Sequence, residues 1–380
     1  MLKPCEDLYS TTFTTYDEMQ NYHVNLALQS RWQRCKVNEL HIEPLDSSSP
    51  LYGNPAAFAA GTTEEAVEDT AHNLGLAMRV FGDLYPIRTT SYKTLLERAK
   101  LNGSVLPKLS RPKLARTLND CLEVYSSEAL LLIRNEKVSA VHSGNLEDYS
   151  VLPIDLLLKS LTKKLDERFP KNVFESGYSD HALTSAAWSM PGQKEELLAA
   201  YEKVLLAHGK AAMAAKLTPG IRFITSDTGV ASAKVTALLM GGQYPISIGG
   251  CVAVDHRFQN RIDDFELALD QLFAQFQDSV EKLQRLLEIP LEYPVNAMTR
   301  ICKKLSLPRK AAAEAIAMFE MAYGGGPATA HDVFLAMQEI PFLLKSDHAP
   351  ESKLLAVEEN MARALTLRWS DYDLAKGVDY

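Results

Sequence analysis

The stretch from Gly220 to Arg261 combines three β-like runs, several glycine turns and a terminal cluster of polar residues. Aromatic residues stand among its basic ones. A basic, partly aromatic sheet face can hold single-stranded nucleic acid, because phosphates bind cations and bases stack on rings. We therefore predict that the basic side chains converge on one side of a sheet. The predicted nucleic-acid contacts are Arg222, Lys234, His256, Arg257 and Arg261.

The same stretch allows a second chemistry, a metal-dependent hydrolase or nuclease that would use Asp227, Asp255 and His256. Carboxylate and imidazole groups are common metal ligands. However, Asp255 and His256 are neighbours, and neighbours on a strand point to opposite faces. Asp227 lies in a Ser-Asp-Thr-Gly segment, which a simple turn explains because Asp and Gly are frequent turn residues. We accordingly predict no metal ligands here and keep the hydrolase as an alternative.

Enzyme signatures are missing from the chain. The sequence contains no GxGxxG, GxxxxGK[ST], GxSxG, HExxH or EF-hand pattern. The glycine run at 324–327 has no lysine placed for a phosphate and predicts a loop between helices. We predict no catalytic residues and no cofactor, and the question of enzymatic activity stays open, with a non-enzymatic role favoured.

Two further features could bind nucleic acid. Residues 298–319 have the layout of a helix-turn-helix, but the second helix is alanine-rich and offers few side chains to read bases. Two other basic patches, residues 108–116 and 159–168, lie on predicted helices. Solvated helix faces explain such patches in most proteins.

Composition indicates a globular protein that stays inside the cell. The chain has 380 residues, with 46% hydrophobic and 23% charged residues and a net charge of −8. Its five cysteines are widely spaced and form no CxxC pair, which is typical of reduced thiols. The N-terminus has no apolar core like that of a signal peptide, and no apolar run approaches a membrane span. We expect a cytoplasmic location in a bacterial host cell and no membrane partner.

The predicted elements change character along the chain. Residues 1–60 predict an irregular N-terminal arm, and helical spacing predicts a helix from Thr62 to Phe81. Alternating runs at 128–134 and 137–143 predict a β-hairpin, and further strands are predicted up to Val254. From residue 263 the pattern is helical. The layout predicts an α+β fold: a mostly antiparallel sheet with flanking and inserted helices, then a helical C-terminal region. We divide it into an arm (1–60), an α+β core domain (61–262) and helices packed on that core (263–380).

Several stretches resemble a phage- and plasmid-borne family of unknown function that includes the YfjQ- and YafZ-like proteins. These are residues 91–161, with SYKTLLERAKLNGSVLPKLSRPKLARTLNDCLE, residues 219–239, and ATAHDVFLAMQEI with EENMARALTLRW near the C-terminus. The chain departs from the family where an Arg-Tyr pair usually follows the hairpin, since it has Asn145 to Tyr149 there. The resemblance implies a mobile-element gene and no particular reaction.

Three hypotheses follow. The leading one is a non-enzymatic protein of a mobile element that binds single-stranded nucleic acid and anneals strands. The second is an interaction protein whose partner is a host protein, through which it counters a host defence. The third is the hydrolase described above. We also expect a homo-oligomer.

Overall fold

A computed structural model describes residues 2–242, 244–323, 328–378 and 380. The predicted loop at 324–327 lies outside these residues. The strands are β1 (Ser10–Phe13), β2 (Ser30–Lys36), β3 (His41–Pro44), β4 (Leu76–Val80), β5 (Asp83–Pro86), β6 (Glu128–Arg134), β7 (Lys137–Ser143), β8 (Val173–Asp180), β9 (Thr184–Ser189), β10 (Thr218–Thr225), β11 (Ala233–Met240), β12 (Ile246–Val254), β13 (Pro290–Leu291) and β14 (Ala328–Thr329). The helices are α1 (Tyr16–Leu28), α2 (Glu64–His72), α3 (Tyr92–Arg98), α4 (Arg111–Leu122), α5 (Ile154–Arg168), α6 (Lys194–Ala207), α7 (Ala211–Lys216), α8 (Ile262–Leu269), α9 (Leu272–Arg285), α10 (Pro294–Lys304), α11 (Arg309–Tyr323), α12 (Ala330–Met337), α13 (Glu339–Ser346) and α14 (Glu351–Ala362).

The main sheet is antiparallel, with strand order β1-β8-β9-β10-β11-β12. Side chains of β10 alternate between its faces, as the strand geometry requires. Ile221 and Phe223 point into a large core shared with the C-terminal helices. On the opposite face Ile224 packs against Leu355 of α14. Both faces of the central strands are therefore covered.

A second core lies under two smaller sheets, β2-β6-β7 and β3-β4-β5. Alternate residues of β6, such as Leu131 and Ile133, point into this core together with α3 and α4. The other face of β2-β6-β7 carries Trp32, Arg134 and His142, and it is turned toward the loops of the main sheet.

The predicted α+β class is confirmed, with an antiparallel sheet, flanking helices and a helical C-terminal region. The β-hairpin at 128–143 and the strands between Gly220 and Val254 are confirmed as well. In contrast, the predicted helix from Thr62 to Phe81 is wrong in its second half. It ends at His72, Gly75 has a φ of +69°, and residues 76–80 form a strand between β3 and β5. The apolar residues of this buried strand fall at intervals that continue the helical spacing, so the sequence pattern did not distinguish the two.

The predicted irregular arm at 1–60 is wrong. β1 pairs with β8 in the main sheet, and β2 pairs with β6 in the second. Thr15 caps α1, since its side chain accepts a hydrogen bond from the backbone of Glu18. The first 60 residues therefore contribute strands to both cores.

Among the described residues, no helix is long and apolar enough to cross a membrane.

Candidate nucleic-acid interface

Two loops meet where the second core faces the main sheet. They are residues 144–150, which follow β7, and residues 255–261, which follow β12, and we call them the paired loops. Their backbones are hydrogen-bonded: Ser150 N donates to His256 O (2.9 Å), Phe258 N to Glu147 O (3.2 Å) and Gln259 N to Leu146 O (3.1 Å). This pairing holds the two loops together although about 110 residues separate them in sequence.

The turn between β10 and β11 lies beneath the paired loops and presents Asp227. Its carboxylate forms a 2.5 Å ion pair with Arg134, and both side chains are buried. Its backbone carbonyl accepts hydrogen bonds from the Tyr149 hydroxyl (3.0 Å) and from His142 Nε2 (2.8 Å). Because a carbonyl only accepts, the Nε2 of His142 carries a proton. Asp227 therefore ties β6, β7 and one paired loop to the main sheet.

Rings stack above this turn. His142 and Tyr149 are almost parallel, with ring centroids 3.5 Å apart, and His256 lies 5.7 Å from Tyr149 on the stack. Burial lowers the pKa of His142 to about 4, lowers that of His256 and raises that of Tyr149. All three rings are neutral at pH 7. They pack against one another as a buried stack.

The predicted turn at 226–229 is confirmed. Its side-chain hydrogen bonds come from Ser226, however, and not from Asp227. The Ser226 hydroxyl accepts hydrogen bonds from Thr228 N and Val230 N, both at 3.1 Å, and Gly229 has a φ of +75°. Asp227 is committed to Arg134. No group of three His, Cys, Asp or Glu side chains in the described residues is placed to hold a metal ion. The ligand set of the hydrolase alternative is therefore not assembled.

The predicted convergence of five contacts on one sheet face is wrong, because only Arg222 and Lys234 share a face of β10 and β11. Arg222 is 7% exposed and forms an ion pair with Glu358 of α14, and Lys234 pairs with Glu359. His256 is buried, with Thr225 Oγ1 3.2 Å from its Nε2. The physical reason is that α14 lies on the face of β10 and β11 where the binding surface was predicted, and its carboxylates neutralise the cations there.

Arg257 and Arg261, the other two predicted contacts, are exposed on one of the paired loops. They open into different clefts. Arg257 lines a polar cleft of about 490 Å³, and Arg261 lines an aromatic cleft of about 720 Å³. The paired loops contribute residues to both clefts.

The polar cleft joins Arg257 to the cations of α3 and the residue pair that follows it, namely Lys93, Arg98 and Lys100. None of these four cations forms an ion pair within 4.0 Å in the part of the chain that the structure describes. The acidic residues of the cleft are Glu97, Asp148 and Asp255. Asp148 and Asp255 accept hydrogen bonds from serine hydroxyls, at 2.9 and 2.6 Å. The cleft thus contains cations without ion-pair partners. Two of its three carboxylates already accept a hydrogen bond from a serine.

The aromatic cleft is lined by Trp32 and Phe81 together with Arg261. Phe81 is 46% exposed and has a φ of +57°, which is unusual for a bulky side chain. Phe258, on the adjoining paired loop, is 64% exposed with a φ of +58°. Backbone strain of this kind clusters at binding sites, where the surrounding structure maintains it.

Few of these residues could be predicted from the sequence. Trp32 lies in the segment that predicted an irregular arm, and Phe81 ended a predicted helix. Lys93, Arg98 and Lys100 are spread over a short helix and the turn that follows it. Only the exposed ring of Phe258, beside Arg257 in sequence, was a usable local signal.

Comparisons with known proteins add nothing to this geometry. No protein-family model, curated protein or solved structure matches the chain.

Proposed function

We propose that this protein is a non-enzymatic binder of single-stranded nucleic acid and that the strand crosses the paired loops. Phosphates contact Arg257, Lys93 and Lys100 in the polar cleft. Bases pack on Trp32 and Phe258 beside the aromatic cleft. One observation carries the proposal: unpaired cations and exposed aromatic rings flank the same two loops.

The contrast with other cations in the molecule supports this location. Arg134, Arg222 and Lys137 are buried and paired with carboxylates, so their charges serve the fold. Arg257 and Lys100 are exposed and have no such partner among the described residues. Free cations neutralise phosphates and release counterions, which supplies most sequence-independent affinity.

The exposed rings favour a single strand over a duplex. Bases of a single strand are free to stack on aromatic side chains, whereas those of a duplex are stacked on one another. The net charge of −8 and the acidic residues of the polar cleft keep the affinity moderate and strongly dependent on salt. In a phage or plasmid, within a bacterial cell, such a protein would hold or anneal displaced strands.

The test is a fluorescence-anisotropy titration with a labelled mixed-sequence single strand of about 16 nucleotides, at several salt concentrations. The variant is Lys100→Gln/Arg257→Gln, and the matched control is Lys303→Gln/Lys304→Gln on α10, where both lysines are exposed. We expect the cleft variant to lose at least about tenfold in affinity at low salt. The slope of log K against log salt should fall by about 1.4, since each phosphate contact contributes about 0.7.

The control should bind like the unchanged protein. Two results contradict the proposal: binding that does not depend on salt, or equal losses in the cleft variant and the control. Tighter binding to the matching duplex would also exclude the single-strand proposal.

A further inference from the structure

A small cavity lies next to the aromatic cleft, between α1, β2 and the turn that carries Asp227. Its volume is about 140 Å³. Trp32 and Val151 line both the cavity and the cleft, so these residues mark the passage from one to the other. A base lying on Trp32 in the cleft is therefore next to this cavity.

The cavity wall holds a buried imidazole without a partner. His23 is 2% exposed, and its Nε2 forms no hydrogen bond with any described residue. A buried polar group is normally hydrogen-bonded, so each exception calls for an explanation. A ligand that enters the cavity and forms a hydrogen bond with His23 Nε2 explains this exception.

The cavity is also lined by the ion pair of Arg134 and Asp227. Arg134 uses one terminal nitrogen for Asp227 Oδ2 and its Nε for the Ser30 hydroxyl (2.8 Å). The second carboxylate oxygen, Asp227 Oδ1, forms no hydrogen bond with the residues that the structure describes. The lining of the cavity therefore combines a hydrogen-bond acceptor, a cationic donor and an imidazole.

We propose that this cavity receives the ring of one pyrimidine base from the bound strand. The inference rests on the proposed function and specifies which bases that function favours. A cavity of about 150 Å³ holds one benzene ring, so the space fits a single six-membered ring more closely than the fused rings of a purine.

The polar groups match the edge of a pyrimidine. The N4 amine of cytosine or the N3–H of uracil or thymine donates to Asp227 Oδ1, in the way that carboxylates accept from cytosine elsewhere. The ring carbonyl accepts from Arg134 or from His23. Trp32 lies at the mouth of the cavity, where it can stack on the neighbouring base. Ring size sets the selectivity, so cytosine and thymine both enter.

The experiment compares short homopolymers of deoxycytidine, deoxythymidine and deoxyadenosine by anisotropy at one salt concentration. We expect the two pyrimidine strands to bind at least about fivefold more tightly than the adenine strand. Ala27→Phe fills the cavity from the exposed side of α1 and should remove this preference while adenine binding stays unchanged. Asn25→Phe, exposed on the same helix and outside the cavity, is the matched control and should keep the preference.

His23→Leu tests the imidazole itself, because leucine keeps the bulk and removes the nitrogens. It should weaken pyrimidine binding selectively, and thermal melts confirm that each variant is folded. Equal affinity for all three strands in the unchanged protein would overturn the pocket and leave the proposed function standing.

Free nucleosides separate the two proposals. Cytidine carries no phosphate, so its binding does not depend on the polar cleft. Trp188 and Trp369 are fully buried, which leaves Trp32 as the tryptophan that a ligand in the cavity can reach. Quenching of tryptophan emission by cytidine, and not by adenosine, supports the pocket even if no strand binds. If millimolar cytidine leaves the tryptophan emission unchanged, the proposed pocket is overturned.

Discussion

The five buried histidines, His23, His142, His181, His256 and His331, are neutral groups packed inside the fold. His142 stacks on Tyr149, His181 donates from Nε2 to Glu6 O (2.9 Å), and His331 lies 2.6 Å from the Tyr201 hydroxyl. Burial lowers the pKa of His23 and of His181 to about 3, and that of His142 and of His331 to about 4. Each stays uncharged in the folded protein at pH values where the unfolded chain takes up a proton.

This difference predicts an acid-sensitive fold. Below pH 6.5 the unfolded state binds more protons than the folded state, so the free energy of unfolding falls as the pH falls, down to the folded pKa values near 4 and 3. Each such histidine lowers the free energy of unfolding by up to about 1.4 kcal/mol for each pH unit in that window. Urea unfolding at pH values from 7 to 5 measures the slope. His181→Gln should reduce it, whereas His41→Gln, at an exposed position, should not. A stability that is constant from pH 7 to 5 would contradict this account.

Residue types alone could identify few of the groups at the candidate site. Arg257 and Arg261 are exposed as expected, but Arg222 has the same chemistry and is buried against Glu358. The difference depends on a helix that begins about 130 residues later in the chain. Local sequence carries no information about such a partner, so charge predicts a binding residue only where nothing covers it.

At the scale of elements, α14 decides which surface of the main sheet is available. It places Glu358 over Arg222 and Glu359 over Lys234, and Leu355 packs on Ile224. One helix thereby closes a sheet face that its strands, taken alone, would present as basic. Of the predicted contacts, the two cations that remain exposed are Arg257 and Arg261, on one of the paired loops.

Glu358→Leu should destabilise the protein by about 3 to 5 kcal/mol, because it leaves the guanidinium of Arg222 buried without a counter-charge. Arg222→Leu/Glu358→Leu should recover most of that loss, since two apolar side chains of similar size pack without charge. Glu359→Gln, in the more exposed pair with Lys234, should cost under about 1 kcal/mol. Denaturant unfolding measures all three variants. If the double variant were as unstable as Glu358→Leu, the loss of stability would not come from the unpaired charge of Arg222.

Elements whose apolar residues recur at a regular spacing were predictable from the sequence. Elements without such a spacing were not. The hairpin at 128–143 and the strands of the Gly220–Arg261 stretch were confirmed because short turns join strands that pair with their neighbours in sequence. β1, β2 and β3 pair with strands much later in the chain, so residues 1–60 showed no local hairpin pattern. Pairing over long distances is set by tertiary packing, which overrides local propensity.

At the scale of the whole molecule, the N-terminal segment contacts both parts of the fold: β1 pairs with β8 in the main sheet, and Asp7 pairs with Lys137 in the second. Asp7 is buried between Lys137 (3.3 Å) and Arg88 (3.5 Å), and it accepts a hydrogen bond from Thr89 N (2.7 Å). Lys137 also pairs with Asp69 at 2.6 Å. The charges of two cations, Arg88 and Lys137, are thus balanced by two carboxylates, Asp7 and Asp69, in a largely buried site.

Asp7→Asn should lower the free energy of unfolding by about 3 to 5 kcal/mol, because it leaves two buried cations with one carboxylate. Asp17→Asn, at an exposed position in the first turn of α1, is the control and should cost under about 1 kcal/mol. Thermal melts at neutral pH measure both. Equal melting temperatures in the two variants would show that the N-terminal segment is dispensable, as an irregular arm would be.

The position of β1 also sets an order of events during synthesis. Ser10 pairs with Asp180, so β1 leaves the ribosome about 170 residues before its partner exists. At about 5 to 20 residues per second, the strand waits roughly 10 to 35 s without a sheet to join. During that interval it carries unpaired backbone groups that other chains can bind. We therefore expect the nascent protein to depend on chaperones in a way that the finished fold, with β1 paired to β8, does not reveal.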